Sequence, residues 1–341
     1  MTVELHNADR AVRLEGDTNR SREDGMRMLH SMLRIRIAEE TLAELYKEQE
    51  MRTPTHFSIG QEAPAVGVCT ALEPSDVIYS GHRCHAHYLA KGGNLVGMVG
   101  ELYGKEIGCA KGIGGSVHLN DPRAGIIASS AILGQTMAVA VGSAWAFTMD
   151  GSRKIAVTFF GDGAAEEGIF HESLNFASLK KLPVLFICEN NLYSTHTPLE
   201  VRQPAGVQIS ERVRSYALPA KQVDGNDVFG VYRAAREAVE WCRSGQGPFF
   251  LECMTYRWRE HVGPLWDYDR GYRSKAEVDE WIGRCPIKRA SERLLERGLC
   301  TTEELQKWRD EAKQEIDYAI AVAKTSPFPT VDRMLDEAEA G

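Results

Sequence analysis

Between Asp24 and Gln49 the apolar residues Met28, Leu29, Met32, Leu33, Leu42, Leu45 and Tyr46 recur at three- and four-residue intervals. That spacing lines one face of an α-helix and predicts an amphipathic one here. The polar stretch before it, residues 1–22, has no such period and is expected to be a loose arm. Further on the pattern changes. KIAVTFF (154–160) and LPVLFICENN (182–191) are β-branched and aromatic runs about one helix apart, which predicts a strand-helix-strand unit with parallel strands. VYRAAREAVEWCRSG (231–245) followed by PFFLECMTYRW (248–258) reads as a helix and strand continuing the same sheet. From Lys275 the pattern is helical again. Thr301 and Glu304 have capping-box spacing, and Leu305, Trp308, Ala312, Ile316, Ala319 and Ala323 mark one helix face. The fold expected is α/β, a doubly wound, mostly parallel sheet with a helical N-terminal arm and a helical C-terminal tail. Its divisions are an arm at 1–22, an α/β domain at 23–274 and a helical extension at 275–341 packed on that domain.

Composition narrows the function. The 341 residues are 43% apolar and 26% charged, enough for a sizeable core, and the formal charge is −8. An acidic chain without a Lys/Arg block is no nucleic-acid binder. It must attract any anionic ligand locally, through a few placed cations, a helix N-terminus or a metal. Eight cysteines without a CxxC pair, most of them in apolar runs, suit free thiols in a reducing cytoplasm. No apolar signal segment opens the sequence, so none is expected. Ala124 to Met149 carries no charge, but Ser129, Ser130, Gln135, Thr136, Ser143, Thr148 and several glycines suit tight packing in a core or subunit interface better than lipid. No membrane partner is expected.

The chemistry concentrates in GDGAAE (161–166), after one strand, and ENN (189–191), at the end of the next. Ligands of parallel sheets sit at these carboxyl ends. GDGAAE is close to the GxGxxG dinucleotide fingerprint, and Glu189 stands where a ribose-binding acid would. A nicotinamide-binding protein is therefore the rival. Against it, Glu166 replaces the third glycine, and the Asp162 carboxylate would face an anionic pyrophosphate. An aspartate there makes sense when a divalent cation bridges it to a diphosphate, with the Asn190-Asn191 pair as the second oxygen source. GDG followed at this spacing by NN is a thiamine diphosphate signature. His82, Cys84, His85 and His87 raise a zinc site, but such tight spacing points alternate side chains apart, and Arg83 between them suits a phosphate. Lys111 reads as a solvated loop lysine.

With these residues the chain resembles the alpha subunits of the thiamine-dependent first component of 2-oxo acid dehydrogenase complexes, the pyruvate, branched-chain and acetoin type. The resemblance runs from about residue 24 to about 330. It rests on GQEA (60–63), HRCH (82–85), GGSVH (114–118), GDGAAEEG (161–168), ENNLY (189–193), VDGND (223–227), TYRW (255–258) and YR (272–273). It implies a thiamine diphosphate-binding fold with thiamine diphosphate and Mg²⁺ as cofactors. Asp162, Asn191 and the backbone carbonyl of Tyr193 would hold the metal. Gly161, Gly163 and Ala164 would meet the diphosphate at a helix N-terminus, with Arg83 gripping it and His82 standing where many members have tyrosine. Ala131 and Leu133 would line the aminopyrimidine pocket. His56 near the reactive end and His261 on a loop over it are the implied catalytic residues.

The resemblance also implies what the chain lacks. The glutamate that hydrogen-bonds the aminopyrimidine belongs to a beta subunit, so an α2β2 assembly passing its acyl group to a lipoyl acyltransferase is expected. Departures from the family pattern at Ala131–Gly134 (AILG), Ser194–Thr197 (STHT) and Glu260–Val262 (EHV) fall where substrate and thiazolium would sit. They leave a pyruvate-like 2-oxo acid, acetoin cleavage and carboligation open as activities, and a non-catalytic subunit as a further alternative.

Overall fold

The structure, a computed structural model, describes residues 19–51, 53–332 and 335. Helix α1 (Asn19–Leu45) is followed by α2 (Glu62–Ala71), strand β1 (Val77–Ser80), α3 (His85–Lys91), α4 (Leu95–Leu102) and β2 (Ile126–Ser129). Next come α5 (Gln135–Met149), β3 (Ala156–Gly161), α6 (Gly168–Lys180), β4 (Val184–Asn190) and a small hairpin, β5 (Tyr193–Ser194) with β6 (Thr197–Pro198). The chain continues through α7 (Ile209–Val213), β7 (Ala220–Asp224), α8 (Val228–Arg243) and β8 (Phe249–Met254) to α9 (Lys275–Gly283), α10 (Pro286–Glu296) and α11 (Thr302–Thr325). The main sheet runs β2-β1-β3-β4-β8-β7, and every neighbouring pair is parallel.

The two-residue side-chain period of the central strands explains why both faces are covered. On β4, Leu185 and Ile187 enter a core shared with α1, α2 and α8, whereas Val184, Phe186 and Cys188 enter a second core under α5, α6 and α7. A strand buried on both faces must be apolar throughout, which is why LPVLFIC lacks alternation. Phe186 is fully buried, and truncating such a residue to alanine costs about 3–5 kcal/mol. The C-terminal helices join the α1 layer. Ile316 and Ala323 of α11 enter the first core, and Arg34 on α1 holds Glu315 with two hydrogen bonds of 2.7 Å. The capping box of Thr301 and Glu304 forms, with both reciprocal hydrogen bonds present.

Three expectations change. α1 begins at Asn19, so the last residues assigned to the arm are helical; residues 1–18 of that arm lie outside the described residues. The helix also stops short of Gln49, at Leu45, where a single 3₁₀ turn leads to Gln49 at φ 58°. GDGAAE does not open an α-helix. Asp162–Glu166 is a 3₁₀ turn and α6 starts at Gly168. The chain turns this tightly because Gly163 passes under the hairpin, where a Cβ would lie 2.5 Å from Ser194 Oγ. The uncharged segment, expected in a core or a subunit interface, has one face of each kind of exposure. α5 buries Met137, Ala140, Val141 and Ala144, but leaves Val139, Trp145 and Met149 exposed. No helix among the described residues is long and apolar enough to cross a membrane.

Candidate active site

Parallel strands end together, so the loops after β1, β3 and β4 meet on one edge of the sheet. There they enclose a cavity of about 290 Å³, whose wall includes every sequence-predicted site residue: His56, His82, Arg83, Ala131, Leu133, Gly161, Asp162, Gly163, Ala164, Asn191, Tyr193 and His261. The cavity has an acidic end and an imidazole end.

At the acidic end Asp162 is fully buried. Its Oδ1 accepts from the Asn191 backbone N–H at 3.3 Å, and Asn191 Oδ1 accepts from the Tyr193 N–H at 3.2 Å, so the turn after β3 and the segment after β4 that carry the three predicted oxygen donors are joined here. Burial pushes the Asp162 carboxyl up, against the charge of Arg202. Arg202 pairs with the second oxygen of Asp162 and with Glu166, and its Nε donates to Thr197 O at 3.1 Å. A buried carboxylate, an amide oxygen and a carbonyl make a hard oxygen set, which fits Mg²⁺. The backbone fits a diphosphate too: a Cβ on Gly161 would meet no atom within 4 Å, so this turn borders open space.

At the other end the rings of His56, His82 and His261 lie with centroids 4.6, 5.0 and 5.3 Å apart. Burial, followed by the nearby Arg83 charge, pulls His56 down to about 2, His82 to about 4 and His261 to about 3. All three are neutral at pH 7. Arg83 is itself buried, which lowers it to about 9. Its Nη1 donates to Phe57 O at 2.5 Å and its Nη2 to His261 O at 3.1 Å. One guanidinium therefore fastens the segment carrying His56 to the loop carrying His261. Gly263 N–H, donating to Thr55 O at 2.8 Å, repeats the tie.

The His261 loop has its own anchor. Buried Asp267 accepts from Arg273 Nε at 2.7 Å, from Arg257 Nη1 at 3.1 Å and from the Tyr272 hydroxyl. Sequence reasoning passed over Arg202 and Asp267, which stand outside every motif. It also left Gln61 without a role, although GQEA contains it; Gln61 lines the cavity, and its buried Nε2 has no partner.

The zinc alternative dissolves in this geometry. His85 bonds Glu39 at 2.5 Å and Ser116 at 2.8 Å; His87 bonds Ser80 at 2.7 Å and Glu189 at 3.0 Å; Cys84 Sγ points to Ser116 O. Of the four, His82 and His87 reach the cavity wall, on differently directed side chains. Glu189, needed by the dinucleotide rival for a ribose, is engaged by His87. Ala131 and Leu133 stand at an open rim, with Ile132 65% and Leu133 41% exposed.

Residues 30–332 match the family model described as dehydrogenase E1 component. The chain belongs to the dehydrogenase E1 component family. It is thus a component of a thiamine diphosphate-dependent 2-oxo acid dehydrogenase. It is 37% identical to the alpha subunit of acetoin:2,6-dichlorophenolindophenol oxidoreductase from Bacillus subtilis, over 92% of this chain and 93% of that one. It is 38% identical to the pyruvate dehydrogenase E1 component subunit alpha of Rhizobium meliloti, over 92% and 89%. With the human testis-specific mitochondrial form of that subunit it shares 35% over 98% and 85%. For an E1 component, GDG and NN sit where a strand-end cofactor site belongs.

Proposed function

We propose that this E1 component is the alpha subunit of an α2β2 enzyme that decarboxylates a pyruvate-like 2-oxo acid and passes the acyl group to a lipoyl acyltransferase. One observation carries the reading: the oxygen donors Asp162, Asn191 and Tyr193 and the imidazoles of His56 and His261 share a single cavity wall. Mg²⁺ would be held by Asp162, Asn191 and the Tyr193 carbonyl. Bound thiamine diphosphate supplies the electron sink for decarboxylation. Arg83 offers positive charge to the diphosphate from a position already fixed by two carbonyls. His56 and His261, being neutral, can accept or return a proton at the reactive end without first losing one. We take residues 23–274 as the cofactor-binding unit and the helices α9 to α11, between Lys275 and Thr325, as its support. Eight free cysteines suit a cytoplasmic setting.

The beta subunit is supported by the rim: Ile132 and Leu133 expose apolar surface at the mouth of a catalytic cavity, where water must later be excluded. Acetoin cleavage is the second reading, favoured by His82 and by the STHT turn, whose Ser194 and Thr195 line the cavity. Both readings are tested by reconstituting the chain with its beta subunit and assaying pyruvate, branched-chain 2-oxo acids and acetoin with an artificial electron acceptor. The alpha chain alone should bind the cofactor poorly and turn nothing over. Robust turnover without a partner, or full activity of Asp162→Ala in the reconstituted enzyme, would overturn the assignment.

A further inference from the structure

We propose that Gln61 belongs to the cofactor seat, donating its buried amide to an oxygen of the bound diphosphate while its carbonyl end orients Asn191; this rests on the seat proposed above at the Asp162 end of the cavity. Among the described residues, two side chains of the cavity wall bury a polar atom that has no partner, His56 at Nδ1 and Gln61 at Nε2. His56 already has work at the reactive end. Gln61 has none, although it is only 1% exposed. An amide NH₂ stripped of water and given no acceptor destabilises the fold that carries it. In a ligand cavity, such a group is accounted for when its acceptor arrives with the ligand.

Loop slack does not account for the orphan. The Gln61 N–H donates to Ser58 O at 2.8 Å, and the Trp258 N–H donates to Ile59 O at 3.1 Å. Gly60 between them adopts φ 96°, so close to Trp258 that a Cβ would lie 2.4 Å from the ring. Gln61 is the N-cap of α2, yet its side chain does not cap that helix, and the next residue, Glu62, is taken up by Arg36 at 2.6 and 2.9 Å. A fixed backbone thus holds out an amide that no protein group uses. Its other end shows which part of the cavity it serves: Gln61 Oε1 accepts from Asn191 Nδ2 at 3.5 Å. An amide oxygen can only accept, so this contact turns the Asn191 oxygen away from Gln61 and leaves it to be offered to a cation. The Tyr193 N–H, bonding that same oxygen at 3.2 Å, selects the same orientation. A side chain touching Asn191 lies at the oxygen-donor end, where the diphosphate must sit if Asp162 and Asn191 share its cation. There a neutral N–H gains a charge-assisted hydrogen bond to a phosphoryl oxygen, which is stronger than one between neutral groups.

The experiment is a calorimetric titration of thiamine diphosphate with Mg²⁺ into the chain reconstituted with its beta subunit, alongside thermal unfolding of the cofactor-free chain. Gln61→Met keeps the length and removes both polar ends, so the dissociation constant should rise at least about tenfold. The cofactor-free variant should melt at the parent's temperature or above it, because an unsatisfied amide has given way to an apolar group. Loss of a merely structural glutamine would lower that temperature instead. Gln61→Glu keeps an acceptor for Asn191 but sets a carboxylate against the diphosphate. Its affinity should fall below that of Gln61→Met at about pH 8 and recover toward the parent's at about pH 5.5, where a protonated carboxyl becomes a donor. The inference is overturned if Gln61→Met binds the cofactor within about twofold of the parent, if it lowers the Tm of the cofactor-free chain by more than about 2 °C, or if Gln61→Glu shows no recovery with pH. An unchanged cofactor affinity with a raised KM for the 2-oxo acid overturns it too, and gives the amide to the substrate. A parent complex that binds no thiamine diphosphate sinks the seat itself, whereas a parent that binds and variants that bind equally well sink the role of Gln61 alone.

Discussion

Replacing Asp267 by asparagine removes one negative charge from a site where two arginines depend on it. Asp267 is fully buried, Arg257 and Arg273 are 1% and 4% exposed, and both guanidiniums hydrogen-bond the carboxylate. Asparagine keeps the shape and one acceptor oxygen but leaves two buried cations without an anion. Removing one partner of a buried pair costs about 3–5 kcal/mol. With an unfolding entropy of roughly 2.1 cal/mol/K per residue, a chain of this length should lose about 4–7 °C in Tm. The pH dependence provides a second check. Burial raises the Asp267 carboxyl, but the Tyr272 hydroxyl, Arg273 and Arg257 outweigh it and hold the group below its ordinary value. A carboxylate lowered by folding contributes its full stability above the unfolded pKa of about 3.9 and loses it as pH falls through the folded value. The gap between parent and Asp267→Asn should therefore be widest near neutrality and close in acid. Scanning calorimetry of the full chain between pH 7 and 2 measures this. A Tm change under about 1 °C at pH 7, or a gap that stays constant down to about pH 2, would refute the claim that charge rather than shape anchors the His261 loop.

Three further outcomes follow from the site. Arg202→Gln frees the Asp162 carboxylate from its internal cation, so Mn²⁺ binding followed by electron paramagnetic resonance should tighten roughly tenfold, about 1.4 kcal/mol, while the metal-free chain loses thermal stability; unchanged or weaker Mn²⁺ binding would mean that Arg202 does not compete with metal. Gly163→Ala places a Cβ 2.5 Å from Ser194 Oγ, so it should weaken cofactor binding to the reconstituted enzyme in calorimetry, and adding Ser194→Gly should recover most of the loss; additive losses would argue against the clash. Folding lowers the pKa of His56, His82 and His261, so the unfolded chain binds more protons and stability should fall as pH drops below about 6.5. A triple His→Gln variant should flatten that slope between pH 6.5 and 5 in urea unfolding, and an unchanged slope would count against three neutral imidazoles.

Much of this protein was legible in the chain because its chemistry is local. GDG and ENN each hold their ligands within a few residues, and a buried parallel strand needs an unbroken apolar run, so motif, strand and strand end coincide in sequence. The helical periods of α8 and α11 were legible for the same reason: one face of each packs on a single layer. What escaped was whatever depends on two distant segments meeting. Strand order brings β1 beside β3 and thereby sets Arg83 and His82 across from Asp162. The fold, and not any spacing, gathers His56, His82 and His261 into one cluster while His85 and His87 are held by hydrogen bonds to Ser116 and Glu189. Arg202 and Asp267 could not be singled out, because an arginine or aspartate in a polar loop looks solvated until burial removes its water and makes its partner obligatory. The net charge of −8 reads in the same terms: an acidic chain can attract a diphosphate only where tertiary structure concentrates cations. Periodicity and motifs determined the elements and the ends at which chemistry would occur. Desolvation, which exists only once the chain has closed on itself, decided which residues act there.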